Sequence, residues 1–286
     1  MSARRPPHHG LPVTRSRLVS DLRALGVREG AVLMVHTRMS AIGWVVGGTE
    51  TVVRALLETV GPTGTVMAYA GWEDNPYDLE SWPDEWRRAY LEELPAFDPE
   101  ISESAHEHGR VPERIRTWPG ARRSAHPEAG IVAVGARAEW ITHRHPSDDG
   151  YGAGSPLARL VEARGQVLML GAPLETITLL HHAESLADVP GKRRVTYRMP
   201  VLEDGHRVWQ IFTDIDTSDA GPLPYAEVVG DEDEFEVIGR EALGAGCGVT
   251  GRVGEAVSHL FEADALLTFA VGWLEARFGE RDRYDA

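Results

Sequence analysis

Apolar and polar positions follow one another along this chain in blocks of distinct period. The first block is a stripe. Leu18, Leu22 and Leu25 recur three and four residues apart, with Thr14 before them and Gly26 after them, which predicts a capped amphipathic helix. Next comes the unbroken apolar run Ala31-Val-Leu-Met-Val-His36, and similar runs recur at Thr65–Tyr69, Ile131–Val134 and Gln166–Leu170. Continuous apolar runs of this length predict strands buried on both faces. Helix-like segments lie between them, so the pattern predicts an α/β layer fold. Thr196 to Thr213, with Asp204-Gly205 at its centre, predicts a β-hairpin, which makes the sheet mixed. The segment Asp264 to Phe278 reads as an amphipathic helix with Leu267, Val271 and Leu274 on one face. No repeat and no linker divides the chain. Residues 14–286 therefore read as one domain behind a Pro- and His-rich segment, residues 1–13, that reads as disordered.

Composition narrows the function. With 286 residues, 42% of them hydrophobic, the chain buries a large core. The net charge of -15 opposes binding to nucleic acid or to an anionic membrane. No apolar run is long enough to span a membrane, and the stretch Met1-Ser-Ala-Arg-Arg-Pro-Pro lacks the apolar core of a signal peptide, so a cytoplasmic location is expected. The single cysteine, Cys247, excludes an internal disulfide and any multi-cysteine zinc site.

The charge is concentrated. Residues 72–108 carry twelve acidic and two basic side chains, and residues 201–236 carry eleven and one, so the remainder is net positive. Each zone reads either as solvated loop or as the mouth of a site for polycations. The first also holds Trp72, Tyr77, Trp82, Trp86, Tyr90 and Phe97. Rings interleaved with carboxylates suit a hydroxylated ligand bearing ammonium groups.

Three constellations carry candidate chemistry. In Gly171-Ala-Pro through Glu184 an apolar strand leads through a turn into helical periodicity, and His181 and Glu184, three apart, share a helix face beyond the strand's C-terminal end. Histidine is the side chain best matched to accepting a proton near neutrality. The turn Gly150-Tyr-Gly-Ala-Gly-Ser155-Pro156 reads as an anion site or as a plain helix start capped by Ser155. His143-Arg-His145 with Asp148 and Asp149, and His106-Glu-His108, have spacings that metal-dependent hydrolases use.

The chain resembles the aminoglycoside 3-N-acetyltransferases, a family distinct from the GCN5-type acetyltransferases. The pieces that carry the likeness run nearly end to end. They are His36-Thr-Arg-Met-Ser-Ala-Ile-Gly43 with Gly47-Gly48, Tyr69-Ala-Gly-Trp72-Glu-Asp74, Phe97-Asp-Pro99, Arg116–Gly120 leading into Arg123-Ser-Ala-His-Pro127, Gly152–Pro156, Gly171 through Glu184, and Phe269–Gly279.

The resemblance implies a three-layer α/β/α fold and metal-free acetyl transfer from acetyl-CoA to the 3-amino group of a 2-deoxystreptamine antibiotic. The family's catalytic histidine falls on His181 and its orienting carboxylate on Glu227, with Asp214, Asp216 and Asp219 as rivals for that second role. Acetyl-CoA is expected against Thr37, Arg38, Met39 and Ser40 and against Ser124 and His126, with Ser155 on the same anion-binding side. Thr37 and Arg38 stand where many relatives carry serines. The expected antibiotic wall is Tyr69, Trp72, Asp74, Asp98 and Glu184. Direct transfer is expected, because the lone thiol lies outside every matched piece. A homodimer is an assembly the sequence leaves open. The competing classes are a metal-dependent hydrolase built on the His-x-His pairs and an inactive relative that only binds polyamines.

Overall fold

The computed structural model describes residues 10–72, 79–218 and 220–279. The strands are β1 (Val32–Thr37), β2 (Thr65–Tyr69), β3 (Arg122–Arg123), β4 (Ile131–Gly135), β5 (Gln166–Leu170), β6 (Arg194–Glu203), β7 (His206–Ile215), β8 (Gly248–Val253) and β9 (Ala256–Glu262). The helices are α1 (Arg15–Leu25), α2 (Gly48–Val60), α3 (Asp84–Glu93), α4 (Arg110–Arg116), α5 (Ala138–Thr142), α6 (Pro156–Glu162), α7 (Leu179–Leu186), α8 (Ala226–Val229), α9 (Glu234–Gly244) and α10 (Ala263–Phe278). The predicted apolar runs are β1, β2, β4 and β5. Among the described residues, seven strands form one sheet in the order β3-β4-β2-β1-β5-β9-β8. Its centre, β2-β1-β5, is parallel, and β4 and β9 flank it antiparallel, so the sheet is mixed.

Strand side chains point alternately to the two faces, and here each face has its own core. Val32 and Met34 join Met67, Ile131, Val167 and Met169 beneath α5, α6, α7, α9 and α10. Leu33 and Val35 join Val66, Val132 and Leu168 beneath α1, α2 and α4. The result is the expected three-layer α/β/α arrangement.

The hairpin β6–β7 forms where expected but stands outside the sheet. Asp204 and Gly205 at its turn both take positive φ, 49° and 77°, as a two-residue hairpin loop requires. It has a third, smaller core of Trp72, Leu94, Phe97, Met199 and Phe212. Phe97 ties the acidic stretch to β6 by main-chain bonds, its N–H to the Pro200 carbonyl at 2.8 Å and its carbonyl to the Leu202 N–H at 3.1 Å.

Two expectations need correction, and one element carries no sequence signal. Val13, placed in the disordered leader, is fully buried and bonded on both sides to Trp44 and Val46, because an apolar side chain beside the α1 cap finds a partner segment there. The buried face of α10 is Ala263, Leu266, Ala270, Trp273 and Leu274, rotated from the predicted stripe, because apolar residues surround this helix and the period alone does not choose a side. The β8–β9 hairpin at the sheet's end was not predicted. β8 is a glycine-containing edge strand, and most of it faces solvent.

Candidate active site

The site lies beyond the C-terminal ends of β1, β2 and β5, where open parallel sheets form clefts. After β5 the chain turns at Gly171, whose φ is 66°. A Cβ there would stand 2.8–2.9 Å from the Cβ atoms of Ala41 and Ala256, so glycine is the residue that fits. The turn delivers Pro173 to Thr178 and then α7. Leu179, Leu180 and Ala183 anchor α7 in the core, and the Lys192 ammonium caps its last turn by donating to the carbonyls of Glu184, Ser185 and Ala187 at 2.7–2.9 Å.

His181 and Glu184, one turn apart on α7, meet directly. The imidazole Nδ1 lies 2.8 Å from Glu184 Oε2. The His181 side chain keeps 23% of its surface exposed, whereas Glu184 as a residue keeps 1%. The second carboxylate oxygen, Oε1, accepts the hydroxyl of Tyr225, at the start of α8. Burial, then the charge of Glu184, pushes the Tyr225 phenol far above the ordinary tyrosine range, so it stays a donor. Phe235 and Tyr151 wall the imidazole, with ring centroids 4.8 Å and 5.0 Å away. Glu234, at the start of α9, is raised above the usual carboxylate range by burial and by the charges of Asp233 and Glu184.

A cleft of about 460 Å³ opens against Tyr69. It is lined by Thr37, Arg38, Met39 and Ser40 after β1, by Tyr69, His108 and Arg110, and by Pro173 and Thr178 from the turn into α7. Tyr69, on the cleft wall, leads toward His181 by way of Tyr151. Its hydroxyl donates to the Glu128 carbonyl at 2.9 Å and lies 3.3 Å from the Tyr151 hydroxyl, whose ring faces His181.

Several expected site residues lie elsewhere. Glu227 is exposed on α8, and the carboxylate bonded to His181 is Glu184, so the structure corrects that pairing. With both oxygens bonded and 1% exposure, Glu184 is also not a wall that meets the antibiotic. Asp214 takes the Gly150 N–H and the Tyr197 hydroxyl, and Asp216 pairs with Arg193. Asp74 and Asp219 lie outside the described residues. Trp72 is 5% exposed with its ring 5.7 Å from that of Phe97, a plug beneath the hairpin. The Asp98 carboxylate accepts the Glu100 N–H at 2.8 Å and builds a turn. Ser155 is buried and caps α6 through the Ala158 N–H, which is the helix-start reading of that turn.

Ser124 and His126 are fully buried and do not line the cleft. They belong to a network that seats β7. His145 Nε2 donates to the Gly150 carbonyl at 2.7 Å, leaving Nδ1 to accept from Ser124 Oγ at 2.9 Å. Its two nitrogens are thus engaged within the chain, and among the described residues no group of three or more His, Cys, Asp and Glu is placed to hold a metal.

Burial, and for each a second histidine nearby, depresses His36 to about 4 and His145 to about 3. Unfolding restores the ordinary value of about 6.5. The unfolded chain therefore binds protons that the folded chain refuses, and the stability these groups contribute above pH 6.5 is lost as pH falls toward their folded values. The expected result is a Tm roughly 5 °C lower at pH 5 than at pH 7. A level Tm across that interval would contradict the buried neutral state of both imidazoles.

The family model described as aminoglycoside 3-N-acetyltransferase matches residues 34–275. The chain belongs to this family. Aminoglycoside N(3)-acetyltransferase VIII of Streptomyces fradiae is 55% identical to it over 272 residues, 94% of each chain. The crystal structure of aminoglycoside acetyltransferase AAC(3)-Xa superposes with a TM-score of 0.91 at 50% identity, covering 93% of this chain and 94% of that one. The AAC-IIIb binary structure with CoASH does so with a TM-score of 0.87 at 46% identity, covering 95% and 100%. As a member of the aminoglycoside 3-N-acetyltransferases the chain is a transferase, and acetyl-CoA is its cosubstrate. Among the described residues no helix is long and apolar enough to cross a membrane.

Sequence reasoning missed Tyr225, Tyr151, Glu234 and Phe235. The signal for Tyr225 was two residues from the chosen Glu227. Tyr151 lies in the glycine-rich turn read as an anion site or helix start, and Glu234 and Phe235 carry no signal, since their place near His181 is set by how the loops fold back over α7.

Proposed function

We propose that this chain transfers the acetyl group of acetyl-CoA directly to the 3-amino group of 2-deoxystreptamine aminoglycosides, in the cytoplasm, as antibiotic resistance. His181 serves as general base and Glu184 as the carboxylate that orients it. The observation that carries this reading is the 2.8 Å pair between His181 Nδ1 and Glu184 Oε2 beside the cleft lined by Thr37 to Ser40.

An ammonium has no lone pair with which to attack a thioester. A carboxylate on Nδ1 selects the tautomer with the proton on that nitrogen and leaves Nε2 to take one from the amine as it forms the C–N bond; the imidazolium, stabilised by Glu184, can return that proton to the sulfur as the C–S bond breaks and CoA leaves as the free thiol. Such a base contributes on the order of 10²–10⁴-fold, and holding amine and thioester together supplies much of the rest. Arg38 and Arg110 in the cleft wall suit the CoA phosphates. Glu234 is the half-buried carboxylate that a substrate ammonium would relieve. The Cys247 thiol, raised by burial in the α9–β8 turn, is a poor acetyl carrier.

The test is release of free CoA thiol from acetyl-CoA across gentamicin, tobramycin, neomycin and apramycin. Release with none of them would return the chain to the polyamine-binding alternative. Charge makes a separate prediction. Raising ionic strength from about 0.01 M to about 0.15 M should raise KM for the aminoglycoside several-fold while KM for acetyl-CoA moves less, since a polycation meets the net-negative zones. A salt-independent antibiotic KM would contradict this.

A further inference from the structure

The His181–Glu184 pair uses one carboxylate oxygen, and a buried carboxylate with a single donor is poorly satisfied. The second donor comes from Tyr225, whose hydroxyl bonds Glu184 Oε1. Tyr225 is itself held firmly. It is buried, its ring stands edge-on to Phe278 at 5.5 Å, and its carbonyl accepts the N–H groups of Val228 and Val229 at 2.8–2.9 Å.

We propose that Tyr225 is a positioning residue for acetyl transfer, its hydroxyl fixing the Glu184 carboxylate in the orientation that meets His181 Nδ1 and sharing the carboxylate's charge. The proposal rests on the reading of His181 as base. A carboxylate pinned at Oε1 cannot rotate away from the imidazole, and one whose charge is shared competes less well for the proton that the imidazole must take. The other titratable groups around the pair are Glu234 from α9, Tyr151 across the imidazole, and Lys192 at the end of α7. Among the described residues none of these donates to the carboxylate oxygens, and Tyr225 is their second donor beside His181.

The test compares Tyr225→Phe with the native enzyme. Removing the donor destabilises the unprotonated pair, so the pair takes a proton more readily. The acidic limb of kcat/KM should move up by about one pH unit, and kcat should fall about tenfold to a hundredfold with both KM values within about threefold. Placing 3-fluorotyrosine at position 225 keeps the fold and strengthens the donor, and should move the limb down. On a Glu184→Gln background, Tyr225→Phe should cost little more. An unmoved limb with native kcat, or a full Tyr225→Phe loss persisting on the Glu184→Gln background, overturns the proposal. An active His181→Ala enzyme would instead overturn the general-base reading, and the proposal with it.

Discussion

A Glu184→Gln enzyme is expected to lose about 10³–10⁴-fold in kcat while KM for the aminoglycoside and for acetyl-CoA stays within a few fold. The amide keeps the shape of the side chain but removes the charge that stabilises the imidazolium. It also presents an N–H as readily as an oxygen to Nδ1, which favours the tautomer whose free nitrogen already carries a proton. Because the carboxylate is buried and touches His181 and Tyr225, the substitution leaves the cleft lined by Thr37 to Ser40 intact. Glu227→Gln, on the exposed face of α8, should behave as the native enzyme. Steady-state kinetics of the two variants side by side settle the matter, and near-native kcat in Glu184→Gln beside a silent Glu227→Gln would return the orienting role to Glu227.

The second large effect is expected at His181. His181→Ala should reduce kcat by at least about 10³-fold and leave antibiotic affinity, measured by calorimetry, within a few fold, since other groups hold the substrate. The neighbouring His182→Ala should act on stability instead. Its Nδ1 donates to the Tyr151 carbonyl at 2.7 Å in a buried position, and burial keeps the imidazole neutral by lowering its pKa. Loss of that bond should lower Tm while a measurable kcat survives. A silent His182→Ala enzyme that remains folded, beside an active His181→Ala enzyme, would exchange the two assignments.

What was legible in the sequence follows a physical division. β1, β2, β4 and β5 are continuous apolar runs because both faces of the central sheet are covered, and such runs announce themselves. β8 is half-solvated at an edge, contains glycines and has no such signature. The His181–Glu184 relation was readable from a spacing of three on a helix. The carboxylate that meets His181 comes from the adjacent turn, Glu184, and not from Glu227, the residue that the resemblance supplied from afar. Trp72, Ser124, His126 and Ser155 lie in pieces shared with the family, yet each is buried and spent on packing or hydrogen bonds. A motif preserves the residues that build a site's supports along with those that line it, and a linear pattern does not separate the two. Tyr225 reaches the Glu184 carboxylate, and Phe235 the imidazole, only through the path of the loops after β7, which no local period encodes.

The central claim is that His181 draws the proton from one particular amine as acetyl passes directly from acetyl-CoA. The measurement that reaches it most directly is carbon-13 NMR of the gentamicin product formed from acetyl-CoA labelled at the carbonyl, with free thiol counted in the same tube. The native enzyme should place the label on the 3-amino nitrogen of the deoxystreptamine ring with one thiol released per label, and His181→Ala should yield neither. Label on a different nitrogen, or thiol and product formed by His181→Ala at the native rate, would contradict the account.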